Sequence, residues 1–81
     1  MHTIVDNNNV SIYMFNNEGS ANVTITATEV TFEGQVVDTV LNNTNCQLVD
    51  IGDTAPADWI GRKYCYADGA WTENPNDPMK Q

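Results

Sequence analysis

The stretch that decides the fold is Tyr64-Cys65-Tyr66-Ala67-Asp68-Gly69-Ala70-Trp71-Thr72. Its centre, Asp68-Gly69, predicts a two-residue type I′ turn, because Asp and Gly tolerate the positive φ that both turn positions require. That turn places Tyr66 opposite Trp71 in an antiparallel hairpin. Side chains alternate along a strand, so Tyr64, Tyr66 and Trp71 share one face. We expect these three rings to form much of the core.

The size and charge of the chain limit what it can do. It has 81 residues, enough for one domain but too few for two. A core of this size supplies only about 3–5 kcal/mol, so a disulfide, a metal or a partner subunit usually adds to it. The chain carries 11 acidic and 3 basic side chains, a net charge of −8. This charge argues against binding to nucleic acid or to an anionic membrane, and leaves a neutral or cationic protein surface as a suitable partner.

The chain shows no targeting segment. Residues 1–6 lack the basic start and apolar run of a signal peptide, and no segment approaches the roughly 20 apolar residues of a membrane span. We therefore expect a protein made in a cytosol, where Cys46 and Cys65 are small, reduced core residues more often than a disulfide. The two cysteines and the single histidine, His2, do not form a ligand set suited to zinc. We therefore predict no metal and no cofactor.

The chain divides into three parts: a polar, Asn-rich N-terminal arm (1–9), a single β domain (10–73) and a Pro-rich tail (74–81). The domain ends in the aromatic hairpin at residues 62–73. Alternating apolar residues predict earlier strands at residues 10–15, 22–27, 30–33, 35–41 and 46–51. The fold class is therefore all-β, with about six or seven short strands in a small antiparallel meander that forms a barrel or a thin sandwich.

Turn chemistry separates these strands. Residues 7–9, 16–19 and 33–34 are rich in Asn or contain Gly, which predicts turns. The apolar parity shifts at residues 28–29, which indicates a turn or bulge there, because a one-residue slip would send the following side chains to the wrong face. Residues 56–60 begin with proline and predict at most one helical or 3₁₀ turn.

No arrangement of residues suited to catalysis is visible, and we predict that the protein is not an enzyme. A Ser-His-Asp or Cys-His arrangement would need a fixed histidine, whereas His2 lies beside the start, where disorder is common. Asp50, Asp53 and Asp58 surround a Gly-Pro loop and could bind calcium, but they lack the dense alternation of a calcium loop. A solvated acidic loop is the simpler interpretation.

The aromatic residues offer two interpretations. Trp59, Tyr64, Tyr66 and Trp71 could form a platform on which a sugar stacks, but aromatic side chains more often serve a core or a protein interface. The two basic residues before the hairpin could pair with the acidic surface or with a neighbouring subunit. We therefore predict an interface formed by Tyr13, Phe15, Trp59, Arg62, Lys63, Tyr64, Tyr66 and Trp71.

The C-terminal quarter resembles a module in small virion-associated proteins of tailed bacteriophages. The resemblance rests on Pro56-Ala57-Asp58-Trp59-Ile60-Gly61-Arg62-Lys63-Tyr64-Cys65-Tyr66, then Asp68-Gly69, Trp71 and Asn74-Pro75. The strands upstream, rich in Thr, Val and Asn, are similar to phage structural proteins in composition only.

The resemblance implies a component of the virion, assembled in the host cytoplasm. The first expectation is a capsid decoration (cement) protein that binds the major capsid protein or another virion protein and stabilises the shell. A homo-oligomer also remains open. The alternative is a tail-fibre or baseplate module that recognises a host glycan or another tail protein through the aromatic residues.

Overall fold

The computed structural model describes residues 1–77 and shows eight short strands and one helical turn within them. The predicted all-β class is confirmed, with eight strands rather than six or seven. In chain order the elements are β1 His2–Asp6, β2 Ser11–Phe15, α1 Asn17–Ser20, β3 Val23–Ile25, β4 Val30–Phe32, β5 Gln35–Asp38, β6 Cys46–Asp50, β7 Tyr64–Ala67 and β8 Ala70–Glu73.

The strands form three antiparallel sheets, with the orders β2-β1-β6, β3-β4-β5 and β7-β8. The second and third sheets join sequential strands by tight turns, as a meander requires. In the first sheet only β1 and β2 are joined in this way, because β6 returns from a distant part of the chain to pair with the other edge of β1. Ile4 at the middle of β1 lies opposite Tyr13 on β2 and Leu48 on β6.

The prediction of a polar N-terminal arm over residues 1–9 is wrong for residues 2–6. They form β1, the central strand of the first sheet, and Thr3, Ile4 and Val5 are fully buried. Three consecutive β-forming side chains and two paired edges outweigh the polar residues on either side. The predicted Asn-rich turn follows, and the Asp6 carboxylate accepts hydrogen bonds from the backbone of Asn8 and Val10.

The aromatic hairpin has the predicted turn and register. Asp68 has φ 53° and Gly69 has φ 80°, as a type I′ turn requires, and Tyr66 lies opposite Trp71. The Trp71 ring meets Tyr66 at 4.9 Å and Tyr64 at 6.3 Å, edge to face. The prediction that these rings form much of the core is wrong, because all three are only half-buried.

The core lies between the first two sheets instead. Its central cluster is aliphatic, and partly buried side chains such as Phe15 and Leu48 surround it. The buried members of that cluster are Ile4, Ile12, Val30 and Leu41. The hairpin does not stack on this cluster, since it is attached to the edge of β2 through its backbone: Arg62 N–H donates to Ser11 O (2.8 Å) and Tyr66 N–H to Asn9 O (2.8 Å).

The two cysteines are separated by this arrangement. Cys46 on β6 lies opposite Asp6 on β1, whereas Cys65 on β7 bridges to Val10, beside β2. Each step between neighbouring strands is about 4.8 Å, so β1 and β2 hold the Cα atoms well beyond the 4.4–6.8 Å that a disulfide spans. Both thiols are free and half-buried, and burial raises the pKa of each.

The remaining turns follow their local chemistry. Glu33 and Gly34 both adopt positive φ, as predicted for the turn between β4 and β5. The parity shift near residues 28–29 is a turn closed by Thr26 N–H donating to Glu29 O. Residues 56–60 form one turn, closed by Trp59 N–H donating to Pro56 O, and no helix continues from it.

The prediction of a patternless tail over residues 74–81 is wrong for its first part. Asn74 is 4 % exposed and is tied to the chain before the hairpin: its side-chain amide donates to Arg62 O (2.7 Å) and its backbone N–H to Lys63 O (3.0 Å). Asp77 is also buried. Asn74 was predicted to belong to a Pro-rich tail, but its side chain closes the base of the hairpin. Residues 78–81 lie outside the described part of the chain.

A chain of buried hydroxyl groups joins β1, β2 and the loop before the hairpin. Thr3 and Ser11 are both 0 % exposed. The Trp59 indole N–H donates to Ser11 Oγ (2.9 Å), Ser11 Oγ lies 2.5 Å from Thr3 Oγ1, and Thr3 Oγ1 lies 2.6 Å from Tyr13 O. A carbonyl only accepts, so the single Thr3 hydroxyl proton is used on Tyr13. Ser11 must therefore donate to Thr3 while it accepts from Trp59.

We expect Ser11→Ala to lower the free energy of unfolding by about 1–3 kcal/mol, because it leaves the Trp59 N–H and a Thr3 lone pair buried without a partner. Urea unfolding of the isolated protein measures this. Ser20→Ala is the matched control, since Ser20 is also buried but its hydroxyl donates only to Asn17 O within α1. Equal losses in the two variants would contradict the hydroxyl chain.

Candidate functional site

The eight residues predicted to form an interface separate into three groups: three that serve the interior, four on or beside the hairpin, and Arg62 by itself. Tyr13 and Phe15, in the first group, make their contacts within the domain. The Tyr13 hydroxyl donates to Asp38 Oδ2 (2.8 Å), and the Phe15 ring stacks on Phe32 with centroids 5.4 Å apart. Both residues therefore join the first sheet to the second, and Trp59, in the hydroxyl chain, likewise serves the interior. These three positions have internal structural roles.

The second group clamps the loop before the hairpin onto β7. Asp58 uses both carboxylate oxygens: Oδ2 accepts from Lys63 Nζ (2.7 Å) and Oδ1 from the Tyr64 hydroxyl (2.7 Å). These two hydrogen bonds, that from Lys63 first, lower the pKa of Asp58, and Asp58 in turn raises the pKa of Tyr64. The Trp71 indole N–H donates to Thr54 Oγ1 (3.0 Å) at the other end of the loop. Tyr64, Tyr66 and Trp71 form an outward-facing half-buried set, named here the aromatic face.

Arg62 is held in place by its backbone rather than its side chain. Its φ is 73°, a conformation that costs a non-glycine residue of order 1 kcal/mol and persists only when its surroundings impose it. Ser11 O and the Asn74 amide supply those constraints. The exposed side chain borders two open clefts of about 480 Å³ and 270 Å³, which also share Asp6 and Asn8. Within residues 1–77 no ion pair involves Arg62.

An exposed apolar surface formed by valines was not predicted from the sequence. Val36, Val37 and Val40 are 52 %, 42 % and 77 % exposed, and with Ile60 they are the large apolar residues most open to solvent. They lie on and just after β5, the free edge of the second sheet. We name these three side chains the valine edge. A signal was present, because adjacent valines in a strand point to opposite faces and both cannot enter one core.

Charge is distributed unevenly around these features. All three basic residues, Arg62, Lys63 and Lys80, follow residue 61, so the first two sheets contain acidic side chains but no lysine or arginine. Arg62 nevertheless reaches this side of the domain in space, since it lines the cleft beside Val40 and attracts the Asp38 carboxylate. The chain as a whole keeps a net charge of −8, so a partner that approaches it meets an overall negative potential.

The three aspartates considered as a calcium site do not converge. Asp50 accepts from the backbone of Gly52, whereas Asp58 is occupied by Lys63 and Tyr64. Among residues 1–77 no group of three or more His, Cys, Asp or Glu side chains is placed to bind a metal ion. The part of the chain that the structure describes contains no helix whose length and apolar character would let it span a membrane.

Comparison of the chain with protein-family models, with curated proteins and with solved structures gives no match.

Asp38 anchors the end of the valine edge. Its Oδ1 accepts from the backbone N–H groups of Val40 and Leu41 (both 2.8 Å), and its Oδ2 accepts from the Tyr13 hydroxyl. The bond from Leu41 is the largest cause of a pKa below the ordinary aspartate value, and the bonds from Tyr13 and Val40 act in the same direction. One carboxylate therefore fixes the turn after β5 and ties it to β2.

We expect Asp38 to make stability depend on pH in the acid range. Its pKa is lower in the folded chain than the roughly 3.9 of an unfolded one, so its contribution is complete above about pH 4 and is lost as pH falls through the folded pKa. Asp38→Asn should lose less stability than the unaltered protein between pH 7 and pH 3, as measured by urea midpoints. Asp53→Asn, which removes the same charge from an exposed loop, is the control for the change in net charge. An Asp38→Asn protein that keeps the pH dependence of the unaltered protein would contradict this role of Asp38.

Proposed function

We propose that this chain is a non-enzymatic structural protein of a tailed-bacteriophage virion, a decoration (cement) protein that docks on the assembled capsid. The observation that carries the proposal is the valine edge, an apolar strand edge left open by a domain with a very small core. The buried apolar residues of that core are Ile4, Val5, Ile12, Val30, Leu41 and Ile51. Docking would bury further apolar surface and stabilise the folded chain by mass action.

The residues that resemble the phage module support the proposal indirectly. Asp58, Lys63 and Tyr64 clamp the loop, the Asp68-Gly69 turn sets the register, and Asn74 closes the base of the hairpin. These residues therefore have roles in folding. Because their side chains are used in this way, docking would use other exposed surfaces, and the valine edge is such a surface.

The charge supports a protein partner with a neutral or basic surface. A net charge of −8 opposes contact with packaged nucleic acid and with anionic lipid, so the outer face of a protein shell fits better than its contents. The major capsid protein is the partner that this proposal names first, because a decoration protein repeats with the shell.

We expect quantitative mass spectrometry of purified particles to find this chain at a copy number comparable with that of the major capsid protein. Particles depleted of the chain should lose their genome at lower temperature than complete particles, since each bound copy adds contacts between shell subunits. A copy number that matches the tail proteins, with heads of unchanged heat resistance, would contradict a decoration role.

A second candidate function is recognition of a host glycan by the aromatic face. One observation favours it: the rings of Tyr64, Tyr66 and Trp71 are half-exposed and lie outside the core cluster, so they remain open to a ligand. Flat aromatic faces suit sugar rings. The two functions make opposite demands on Trp71.

Under the decoration proposal we expect Trp71→Ala to reduce the free energy of unfolding by about 2–3 kcal/mol, because it removes two ring contacts and the bond to Thr54. Binding to particles should persist while the variant is folded. Cell-binding and glycan-array measurements with the folded variant separate the functions. Loss of glycan binding by a folded Trp71→Ala protein would favour the recognition role.

A further inference from the structure

We infer that the free edge of β5 receives an extended strand from a neutral or basic segment of the partner protein. This inference rests on the proposed function and specifies it further, since it names the docking surface and the chemistry of what binds there. It rests on three observations: the direction in which the backbone groups of the second sheet point, the exposure of the valine edge and the distribution of charge.

Two hydrogen bonds between β3 and β4 show which backbone groups of β4 point towards β3. Glu33 N–H donates to Asn22 O (3.1 Å) at one end of β4, and Thr26 N–H donates to Glu29 O (2.9 Å) at the other. Backbone groups along a strand point alternately to its two neighbours. Thr31, which lies two residues from both Glu29 and Glu33, therefore directs its N–H and C=O towards β3.

Val36 is consequently left with an unpaired backbone. It lies opposite Thr31 in the register of β4 and β5. Because Thr31 bonds to β3, this is a non-hydrogen-bonded pair, and the N–H and C=O of Val36 point to the open side of β5. None of the described hydrogen bonds outside the sheets involves Val36 or Val37. The edge thus offers one complete donor-acceptor pair to an incoming strand.

The side chains around this pair are apolar and open. The register shifts between Val30 and Thr31, so Val37 is an extra residue in β5. Val36 and Val37 are both exposed, and so is Val40 just after the strand. Edge strands are protected by lysine, by proline, by short length or by a bulge. Residues 35–40 contain no lysine or proline, whereas β5 is four residues long and bulged at Val37, so the pairing it offers is confined to Val36. An incoming strand would bury these valines at the same time as it pairs with Val36.

Charge selects the occupant. Glu33 and Asp38 flank the edge, Arg62 offsets only Asp38 in part from the cleft beside Val40, and the chain as a whole keeps a net charge of −8. A second copy of this chain would bring the same carboxylates to the same edge, and would gain no opposite charge from its own β5. A partner segment with valine-like and basic side chains gains both apolar burial and electrostatic attraction.

Hydrogen exchange on particles tests this inference. The unaltered protein is added to purified particles of the phage that encodes it, after they have been stripped of the chain, and amide exchange is compared with that of the free protein. We expect the Val36 amide, open in the free protein, to become protected on particles together with its neighbours in β5. Binding that leaves these amides unprotected would overturn the edge as the docking site while it supports the proposed function.

Two variants separate backbone pairing from side-chain burial. Val36→Pro removes the outward N–H at a position where an edge strand accepts proline, so the fold should be kept while affinity for particles falls by about tenfold or more. Val36→Thr keeps the N–H and the branched shape, and should bind within about threefold of the unaltered protein. Equal affinities for both folded variants would overturn strand pairing. If Val36→Pro does not fold, the exchange data on the unaltered protein decide.

The remaining outcomes are also decisive. Affinity for particles should fall as salt is raised, because opposite charges attract the partner, and an affinity that rises with salt would overturn the basic partner. Protection of Val36 in the free protein that grows with its concentration would show that a second copy occupies the edge, which overturns the inference. No binding of the unaltered protein to stripped particles would overturn the proposed function and the inference together.

Discussion

The structure depends on the set of hydrogen bonds made by Ser11. Its hydroxyl accepts from the Trp59 indole and donates to Thr3, while its carbonyl accepts from Arg62 N–H. One fully buried residue therefore connects the central strand, the loop at residues 56–60 and the start of the hairpin. Apolar packing is roughly non-directional, whereas these bonds have fixed geometry. In a domain with so few buried apolar side chains, polar bonds of this kind determine where the hairpin is placed.

This attachment explains why the large aromatic residues stay at the surface. A hairpin bonded edge to edge with β2 extends the first sheet sideways, so its rings meet one another and the loop from Thr54 to Asp58 rather than the aliphatic cluster. The buried set stays small as a result. Stability that a larger core would have supplied is left to directional contacts.

The parts of the fold that could be predicted are those with local causes. Asp68-Gly69 adopts positive φ because of its own chemistry, and the aromatic register follows from this turn. The turn at residues 33–34 was predictable from Gly34, whereas the positive φ of Glu33 is not favoured by its side chain. The central position of β1 has no local cause: Ile4 pairs with Leu48, far along the chain, and two strands must meet it before it is buried. From the sequence alone Thr3 would be placed facing solvent, because its partner Ser11 is known only from the structure. Asn74 would likewise be placed in a tail, because the backbone groups that it binds before the hairpin are known only from the structure.

The same distinction applies to the candidate site. Aromatic and basic side chains were expected to form the interface because they dominate interfaces in general, yet Tyr13, Trp59 and Tyr64 are engaged within the domain. Val36 and the valines around it stand out only once the sheet register is known, because the register puts the Val36 backbone on the open side of β5. An open edge of this kind invites self-association. The net charge of −8 acts against that outcome, because two copies of so acidic a chain repel each other as they approach.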